Sequence, residues 1–197
     1  MSDADQPQAG LPGLEEPAGP LHRLFFALVP PASVREQIAA TASALRENGS
    51  IEARWVKPAR YHVTLAFLGD HPTLRPSLLE AARAAIGKVR VAPFTWLPDQ
   101  VASFTGRRPP CVLRSMQASP ALQALWEQLR RELSLVRLGG QVERSFTPHV
   151  TLAYGQRDLP APIEVAPIAW PVDRVLLLHG EVGSSDYETL GSWRLPG

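Results

Sequence analysis

The stretch YHVTLAFLG, Tyr61–Gly69, has the composition of a buried strand, except that it contains a histidine and a threonine two positions apart. Successive side chains of a strand point to opposite faces, so His62 and Thr64 are predicted to share one face and Phe67 to lie on the other. Burying an imidazole and a hydroxyl costs free energy that a valine or a leucine would not cost. One such pair is still most simply a structural feature of the strand.

The same pentad, HVTLA, recurs in PHVTLAYG, Pro148–Gly155, where His149 and Thr151 have the spacing of the first pair. A lone histidine on a strand is usually a structural residue. Two identical His–Thr pairs at equivalent places in two halves that otherwise diverge indicate instead polar atoms that converge on one place. We therefore expect the two pairs to face each other across a cleft.

The sequence around the two pairs repeats as well. VAPFTWLPDQV begins at Val91 and VAPIAWPVDRV begins at Val165, with six identical residues at equal offsets. The first histidine lies 29 residues before its VAP segment and the second lies 16 residues before its own, a difference close to the length of one helix. These matches predict an internal duplication, with repeats at about 22–105 and 110–195.

Strand-like segments alternate with amphipathic helices in both halves. Helices are predicted at about 31–48, 74–88 and 119–136, the last with Ser119 as its N-cap. This order predicts an α+β fold in a single domain, residues 21–197. Its two lobes are expected to be related by a pseudo-two-fold axis, each with a largely antiparallel sheet and flanking helices, around a central active-site cleft.

Composition limits the kind of protein and its surroundings. Residues 1–20 contain four acidic and no basic side chains, four prolines and three glycines, and predict a disordered tail. The rest of the sequence has 20 basic and 15 acidic residues, a mild excess of positive charge. Such an excess is compatible with an anionic ligand bound in a cleft but is too weak for sequence-independent coating of a nucleic acid. Neither a signal peptide nor an apolar run of ~20 residues occurs, and the single cysteine, Cys111, fits a reducing compartment. We expect a cytoplasmic monomer without a membrane partner.

Other common kinds of site fit the sequence less well. Zinc requires three or four His, Cys or carboxylate ligands, and the remaining histidines, His22, His71 and His179, have no ligand spacing. A nucleophile elbow, a P-loop and a dinucleotide fingerprint are all missing from the sequence. No metal and no cofactor are therefore expected.

Two opposed imidazoles suit general acid–base catalysis, because one ring can accept a proton while the other, when charged, donates one. Two hydroxyls beside them can donate hydrogen bonds to the non-bridging oxygens of a phosphoryl group. Such a site needs a substrate with a strained leaving group, such as a 2′,3′-cyclic phosphate.

RYHVTLAFLG and RSFTPHVTLAYG, preceded by RLFFALVP and ARWVKP, resemble the 2H phosphoesterases, and most closely the RNA 2′,3′-cyclic phosphodiesterases, also called 2′-5′ RNA ligases. The resemblance covers about residues 22–195. It implies metal-independent opening of 2′,3′-cyclic phosphates to 2′-phosphates, on RNA ends, oligonucleotides or cyclic nucleotides. By this resemblance His62 is the proton donor, His149 is the proton acceptor, and Thr64 and Thr151 bind the substrate.

The sequence departs from this family at Tyr154, where many members have an arginine. The candidates for a replacement cation are Arg23, Arg60, Arg107, Arg108 and Arg144. We expect Tyr154, Arg144 and Tyr61 to bind substrate, the tyrosines by a hydroxyl or by stacking on a base. Trp55 and Phe146 also flank the motifs, but core packing is their expected role.

Two alternative functions are consistent with the same residues. The first is an ATP-independent 2′-5′ RNA ligase that uses the same site in the reverse direction. The second is a non-catalytic binder of RNA termini. Paired histidines argue against the second, because arginine would bind a phosphate at every relevant pH.

Overall fold

The computed structural model describes residues 19–49, 51–184 and 186–196. The tail predicted for residues 1–20 therefore lies almost wholly outside the described residues. The described residues form three α-helices: α1 (Ala32–Glu47), α2 (Pro76–Ile86) and α3 (Pro120–Leu135). The strands are β1 (His22–Leu28), β2 (Ala53–Trp55), β3 (Val63–His71), β4 (Phe94–Trp96), β5 (Gln100–Ser103), β6 (Pro110–Arg114), β7 (Val150–Gly155), β8 (Ile163–Glu164), β9 (Trp170–Val172), β10 (Arg174–Glu181) and β11 (Glu188–Arg194).

The strands form two main sheets and one short ribbon. The first sheet has the order β11-β10-β1-β3, the second has the order β2-β7-β6-β5-β8, and β4 pairs with β9 alone. Every pairing among the described strands is antiparallel. The predicted α+β class with antiparallel sheets is confirmed.

The two sheets exchange strands between the halves of the sequence. β5 belongs to the first half but pairs with β6 in the second sheet, and β10 belongs to the second half but pairs with β1 in the first sheet. The two VAP segments meet where β4 pairs with β9, and there Trp96 lies opposite Trp170. Their rings are 5.4 Å apart and almost fully buried, so equivalent residues of the two halves contact each other at the centre of the molecule.

The helices begin and end close to where the sequence predicts. Ser119 caps α3, its Oγ accepting a hydrogen bond from the backbone N–H of Leu122 at 3.4 Å. Gly49, just after α1, has a φ of +70°, a conformation that glycine adopts without steric cost. α2 lies between β3 and β4, whereas β7 is followed directly by β8, which explains the shorter spacing in the second half.

The first sheet has two different faces. Leu24, Phe26 and Leu28 of β1 point into the main core, which also buries the apolar stripe of α3. On the opposite face Phe25 and Ala27 form a smaller apolar cluster with Leu178 of β10. This second face forms the floor of the cavity described below. Within residues 19–49, 51–184 and 186–196, no helix is long and apolar enough to cross a membrane.

Candidate active site

His62 lies immediately before β3, and the backbone fixes its ring. Its Nδ1 is 2.7 Å from the carbonyl oxygen of Arg60, the last residue of a short 3₁₀ helix at Pro58–Arg60. A carbonyl oxygen can only accept a hydrogen bond, so Nδ1 carries the proton and donates it. Nε2 of His62 is thereby left as the atom that can exchange a proton with a substrate.

His149 repeats this arrangement at the start of β7. Its Nδ1 is 2.7 Å from the carbonyl oxygen of Thr147, again the residue two positions earlier. Its ring packs edge-on against Phe104 at 4.9 Å between centroids. The HVTLA repeat therefore reproduces both the position and the tautomer of the histidine in the two halves.

Burial lowers the pKa of both imidazoles below the ordinary value. The hydrogen bonds to the carbonyls of Arg60 and Thr147 oppose this shift, while the charges of Arg60 and His149 lower the pKa of His62 further. Both rings are therefore mainly neutral at neutral pH in the free protein. An anion bound between them would raise both pKa values, because a nearby negative charge favours imidazolium.

A cavity of about 430 Å³ lies beside these residues and receives side chains from both sheets. His62 and Thr64 line it from the first sheet, and Thr151 lines it from β7 of the second sheet. The residues that line it are Arg23, Phe25, Val56, Arg60, His62, Thr64, Phe67, Thr151, Tyr154 and Tyr187. His149 stands at the head of β7, two residues before Thr151. His149 itself is not among the residues that line the cavity. Its charge, when the ring is protonated, makes the smallest contribution to the lowered pKa of His62.

A β-bulge within each HVTLA pentad changes which residues reach the cavity. In β3 the pairing with β1 skips Leu65, and in β7 the pairing with β6 skips Leu152. A bulged residue shifts the alternation of the residues that follow it. Phe67 and Tyr154, three positions after the two threonines, therefore line the cavity on the side of Thr64 and Thr151. The prediction that Phe67 lies on the opposite face is wrong for this reason.

An arginine stacks on each of these two rings from a neighbouring strand. The guanidinium carbon of Arg23 is 5.6 Å from the centroid of Phe67, and that of Arg54 is 5.5 Å from the centroid of Tyr154. Both pairs have the geometry of a cation–π contact. Arg54 does not appear among the sequence-predicted residues, because only the pairing of β2 with β7 brings it to Tyr154.

Comparison with known proteins identifies the family of this chain. A family model described as the 2′-5′ RNA ligase superfamily matches residues 24–183. The chain belongs to the 2′-5′ RNA ligase superfamily. The resemblance to the 2H phosphoesterases that the two HVTLA motifs predict is thereby confirmed.

Several named members of this superfamily are similar over most of the chain. The RNA 2′,3′-cyclic phosphodiesterase of Bacillus subtilis is 31% identical over 150 residues, covering 72% of this chain and 80% of that protein. The protein of the same name from Thermotoga maritima is 30% identical over 132 residues, covering 66% of this chain and 68% of its own. Escherichia coli LigT in its apo form has a TM-score of 0.71 and 28% identity, covering 91% of this chain and 100% of LigT. A crystal structure of LigT complexed with 3′-AMP has the same TM-score at 25% identity.

Two of the residues predicted to bind substrate are not brought to the cavity. Tyr61 is only 3% exposed and packs within the main core, since the residue before His62 points away from the His–Thr face. Arg144 is exposed and is not among the residues that line the cavity. Arg107 and Arg108 are likewise exposed and outside it. Of the five candidate arginines, Arg23 and Arg60 line the cavity of this superfamily member.

The expected packing role of two aromatic residues agrees with the structure. Trp55 and Phe146 pack against the main core, and Phe146 stacks on Trp126 with 5.3 Å between ring centroids. Tyr187, which sequence reasoning missed, lines the cavity and contacts the rings of Phe25 and His62. No motif marks it, because it lies just before β11 and reaches the site only through the pairing of β11 with β10 and of β10 with β1.

The described residues support neither a cysteine nucleophile nor a cluster of metal ligands. Cys111 is buried, and burial raises the pKa of its thiol to about 11, so it is not a thiolate nucleophile. In the part of the chain that the structure describes, no three His, Cys, Asp or Glu side chains come together as metal ligands would.

Proposed function

We propose that this protein is a metal-independent RNA 2′,3′-cyclic phosphodiesterase. One observation supports this most directly. Each of the two histidines donates its Nδ1 proton to a carbonyl oxygen two residues earlier, and this leaves both Nε2 atoms for substrate. Threonines two positions after each histidine line one cavity between the sheets.

The reaction follows from these atoms. Nε2 of His149 accepts a proton from a water molecule, and the water oxygen forms a bond to the phosphorus of the cyclic phosphate. The bond between phosphorus and the 3′ oxygen breaks, and Nε2–H of His62 gives its proton to that oxygen. The product is a 2′-phosphate with a free 3′ hydroxyl. The hydroxyls of Thr64 and Thr151 donate hydrogen bonds to the non-bridging oxygens.

The lowered pKa values of the histidines are compatible with these roles. A base must be neutral, and burial keeps His149 neutral in the free protein. The acid must be protonated when the bond to the leaving oxygen breaks, and burial alone opposes this for His62. A bound phosphodiester anion favours the protonated ring, so substrate binding itself prepares the acid. The assignment of donor and acceptor follows the resemblance, because both rings hold their Nδ1 proton on a carbonyl oxygen and leave Nε2 for the substrate.

The substrates we propose are RNA ends, oligonucleotides or nucleotides with a 2′,3′-cyclic phosphate. The cavity of about 430 Å³ is large enough for a nucleotide and open enough for a longer chain to leave it. The relatives from Bacillus subtilis and Thermotoga maritima are named RNA 2′,3′-cyclic phosphodiesterases, which are phosphoric diester hydrolases. Crystal structures of LigT complexed with 3′-AMP and with phosphate show that this relative binds a nucleotide and a phosphate ion.

A 2′-5′ RNA ligase remains the alternative within the same site, supported by the name of the matching superfamily. In that direction the 5′ hydroxyl of one RNA replaces water, His149 takes its proton, and the cyclic phosphate opens to a 2′-5′ bond. No ATP is needed, because the strained ring supplies the driving force. Dilute aqueous solution favours hydrolysis by mass action.

The test is turnover of a 2′,3′-cyclic mononucleotide in the presence of excess chelator, with the product identified by chromatography against 2′- and 3′-phosphate standards. We expect the 2′-phosphate, and we expect a His149→Ala control to lose this activity. Formation of the 3′-phosphate, or no turnover by a folded protein, would contradict the proposed function. A 2′-5′ linked product in reactions that also contain a 5′-hydroxyl oligonucleotide would show the ligase direction.

A further inference from the structure

Two arginines line the cavity, and their partners differ. Arg23 is held by Asp70 in a bidentate ion pair, with both N–O distances at 2.8 Å. Such a pair satisfies the charge of the guanidinium and fixes its orientation. The carboxylate of Asp70 therefore already offsets the positive charge of Arg23. This makes Arg23 the weaker of the two candidates for binding an anionic ligand.

Arg60 has no carboxylate partner among residues 19–49, 51–184 and 186–196. Its Nη2 donates a hydrogen bond to the hydroxyl oxygen of Tyr187 at 2.5 Å, and its guanidinium carbon is 4.8 Å from the centroid of that ring. Its Nε is buried and has no hydrogen-bond partner in the described structure. A half-buried cation with a neutral partner is costly unless an anion compensates it.

We propose that Arg60 is the cation that binds the phosphoryl group in this cavity, and that Tyr187 positions its guanidinium there. This inference rests on the proposed function and assigns to Arg60 the charge that the superfamily pattern places at Tyr154. The backbone of the same residue holds His62, because its carbonyl oxygen accepts the Nδ1 proton. One residue would thus orient the acid through its main chain and bind the phosphate through its side chain.

Tyr187 is itself held in a defined position. Its ring lies edge-on to Phe25 and to His62, with centroids 5.1 and 5.6 Å away. A Cβ on Gly180 of β10 would come within 2.7 Å of the Tyr187 ring, closer than real side chains approach. Glycine at this position therefore lets the tyrosine lie flat on the first sheet and present its hydroxyl to Arg60.

The charge of Arg60 has two measurable consequences. A phosphoryl group gains negative charge as the water attacks, so a fixed guanidinium stabilises the transition state more than the ground state. The same charge lowers the pKa of His62. The other charged or titratable groups around His62 are Arg23, His149, Tyr154 and Tyr187. Removing Arg60 should weaken phosphate binding and raise the pKa of His62 together.

The variants are Arg60→Gln, Arg60→Lys and Tyr187→Phe, with Arg131→Gln as the control for net charge. Arg131 is an exposed residue of α3 that pairs with Glu132. Binding of inorganic phosphate is measured by titration calorimetry, kcat and KM are measured on a 2′,3′-cyclic mononucleotide, and the melting temperature confirms folding. We expect Arg60→Gln to weaken phosphate binding and to lower kcat/KM roughly 10- to 100-fold, the scale of a charged hydrogen bond.

Arg60→Lys should recover part of this loss, since it keeps the charge but not the guanidinium geometry. Tyr187→Phe keeps the ring and removes the acceptor, so a loss of roughly 2- to 10-fold is expected from a single neutral hydrogen bond. In Arg60→Gln the limb of the pH profile that reports His62 should move to higher pH, whereas the Arg131→Gln profile should match the wild type.

Unchanged phosphate affinity and unchanged kcat/KM in a folded Arg60→Gln protein would overturn this inference. So would a large loss on Arg23→Gln with none on Arg60→Gln, because the phosphate cation would then be Arg23. Phosphate binding is measured without turnover, so a wild-type protein that binds phosphate through Arg60 but opens no cyclic phosphate would overturn the proposed function alone.

Discussion

Removing the two imidazoles separates a catalytic role from a structural one, because the structure predicts different sizes for the two effects. His62 makes one hydrogen bond, to the carbonyl oxygen of Arg60, and contacts the rings of Phe25 and Tyr187. His149 makes one hydrogen bond and one ring contact. A net hydrogen bond and a ring contact each stabilise a fold by about 1 kcal/mol. The alanine variants should therefore lower the free energy of unfolding by about 3 kcal/mol at His62 and about 2 kcal/mol at His149.

That loss of stability is moderate for a chain of this length. It corresponds to a fall in melting temperature of roughly 4–12 °C, at about 2–4 °C per kcal/mol. The predicted loss of catalysis is larger and appears in kcat rather than in the melting temperature. Removing a general acid or base lowers kcat on the order of 10²- to 10⁴-fold, equivalent to about 3–5 kcal/mol in the activation barrier. The double variant should fall well short of the product of the two losses, because the histidines act as one unit.

The assay measures kcat on a 2′,3′-cyclic mononucleotide and the melting temperature on the same four proteins: wild type, His62→Ala, His149→Ala and the double variant. If the histidines are catalytic, the variants should be folded at the assay temperature and their kcat should be lower by orders of magnitude. If the histidines are only structural, the variants should have a lower melting temperature and a normal kcat per folded molecule. A folded variant with kcat within a few-fold of wild type would refute the two-histidine mechanism.

Three further outcomes follow from the site. Because burial lowers the pKa of His62 and of His149 below 6.5, the bell-shaped profile of kcat/KM, which reports the free protein, should have its optimum on the acid side of pH 6.5. The profile of kcat should lie at higher pH, since a bound anion raises both pKa values, and an alkaline optimum of kcat/KM would contradict this. Thr64→Val and Thr151→Val keep the strand shape and remove one donor each, so kcat should fall on the order of 10- to 10³-fold with little change in melting temperature, and an unchanged kcat would exclude them as phosphate ligands. Excess chelator should leave the rate unchanged, and a loss of activity that zinc or manganese restores would exclude a mechanism without metal.

The sequence predicts the paired motifs and the fold class well because both depend on local patterns. The alternation of side chains places His62 with Thr64 at the cavity, the repeated motif places Thr151 there too, and the helix pattern places the N-cap of α3 at Ser119. The same alternation of side chains places Tyr61 on the face opposite His62. The expectation that Tyr61 binds substrate was therefore inconsistent with the pattern that predicts the His–Thr pairs. That residue lies in the main core.

The remaining site residues depend on pairing between distant segments, which no local pattern reports. Phe67 reaches the cavity because of the bulge at Leu65, and a bulge leaves no mark in a pattern of apolar and polar residues. Arg54 reaches Tyr154 because β2 pairs with β7. Tyr187 reaches Arg60 across 127 positions of the sequence.

The exchange of strands between the two halves has a consequence for the origin of this architecture. Neither half contains every strand of either main sheet, because β10 completes the sheet of β1 and β5 completes the sheet of β6. If the two halves arose by duplication, an ancestor with one repeat would complete both sheets by exchanging its last strand with a second copy of itself. In that homodimer Trp96 and Trp170 would be one residue in contact with its symmetry mate, and the two HVTLA motifs would be one motif. Fusion of the two copies would then have let them differ, with one imidazole as the proposed acid and the other as the proposed base.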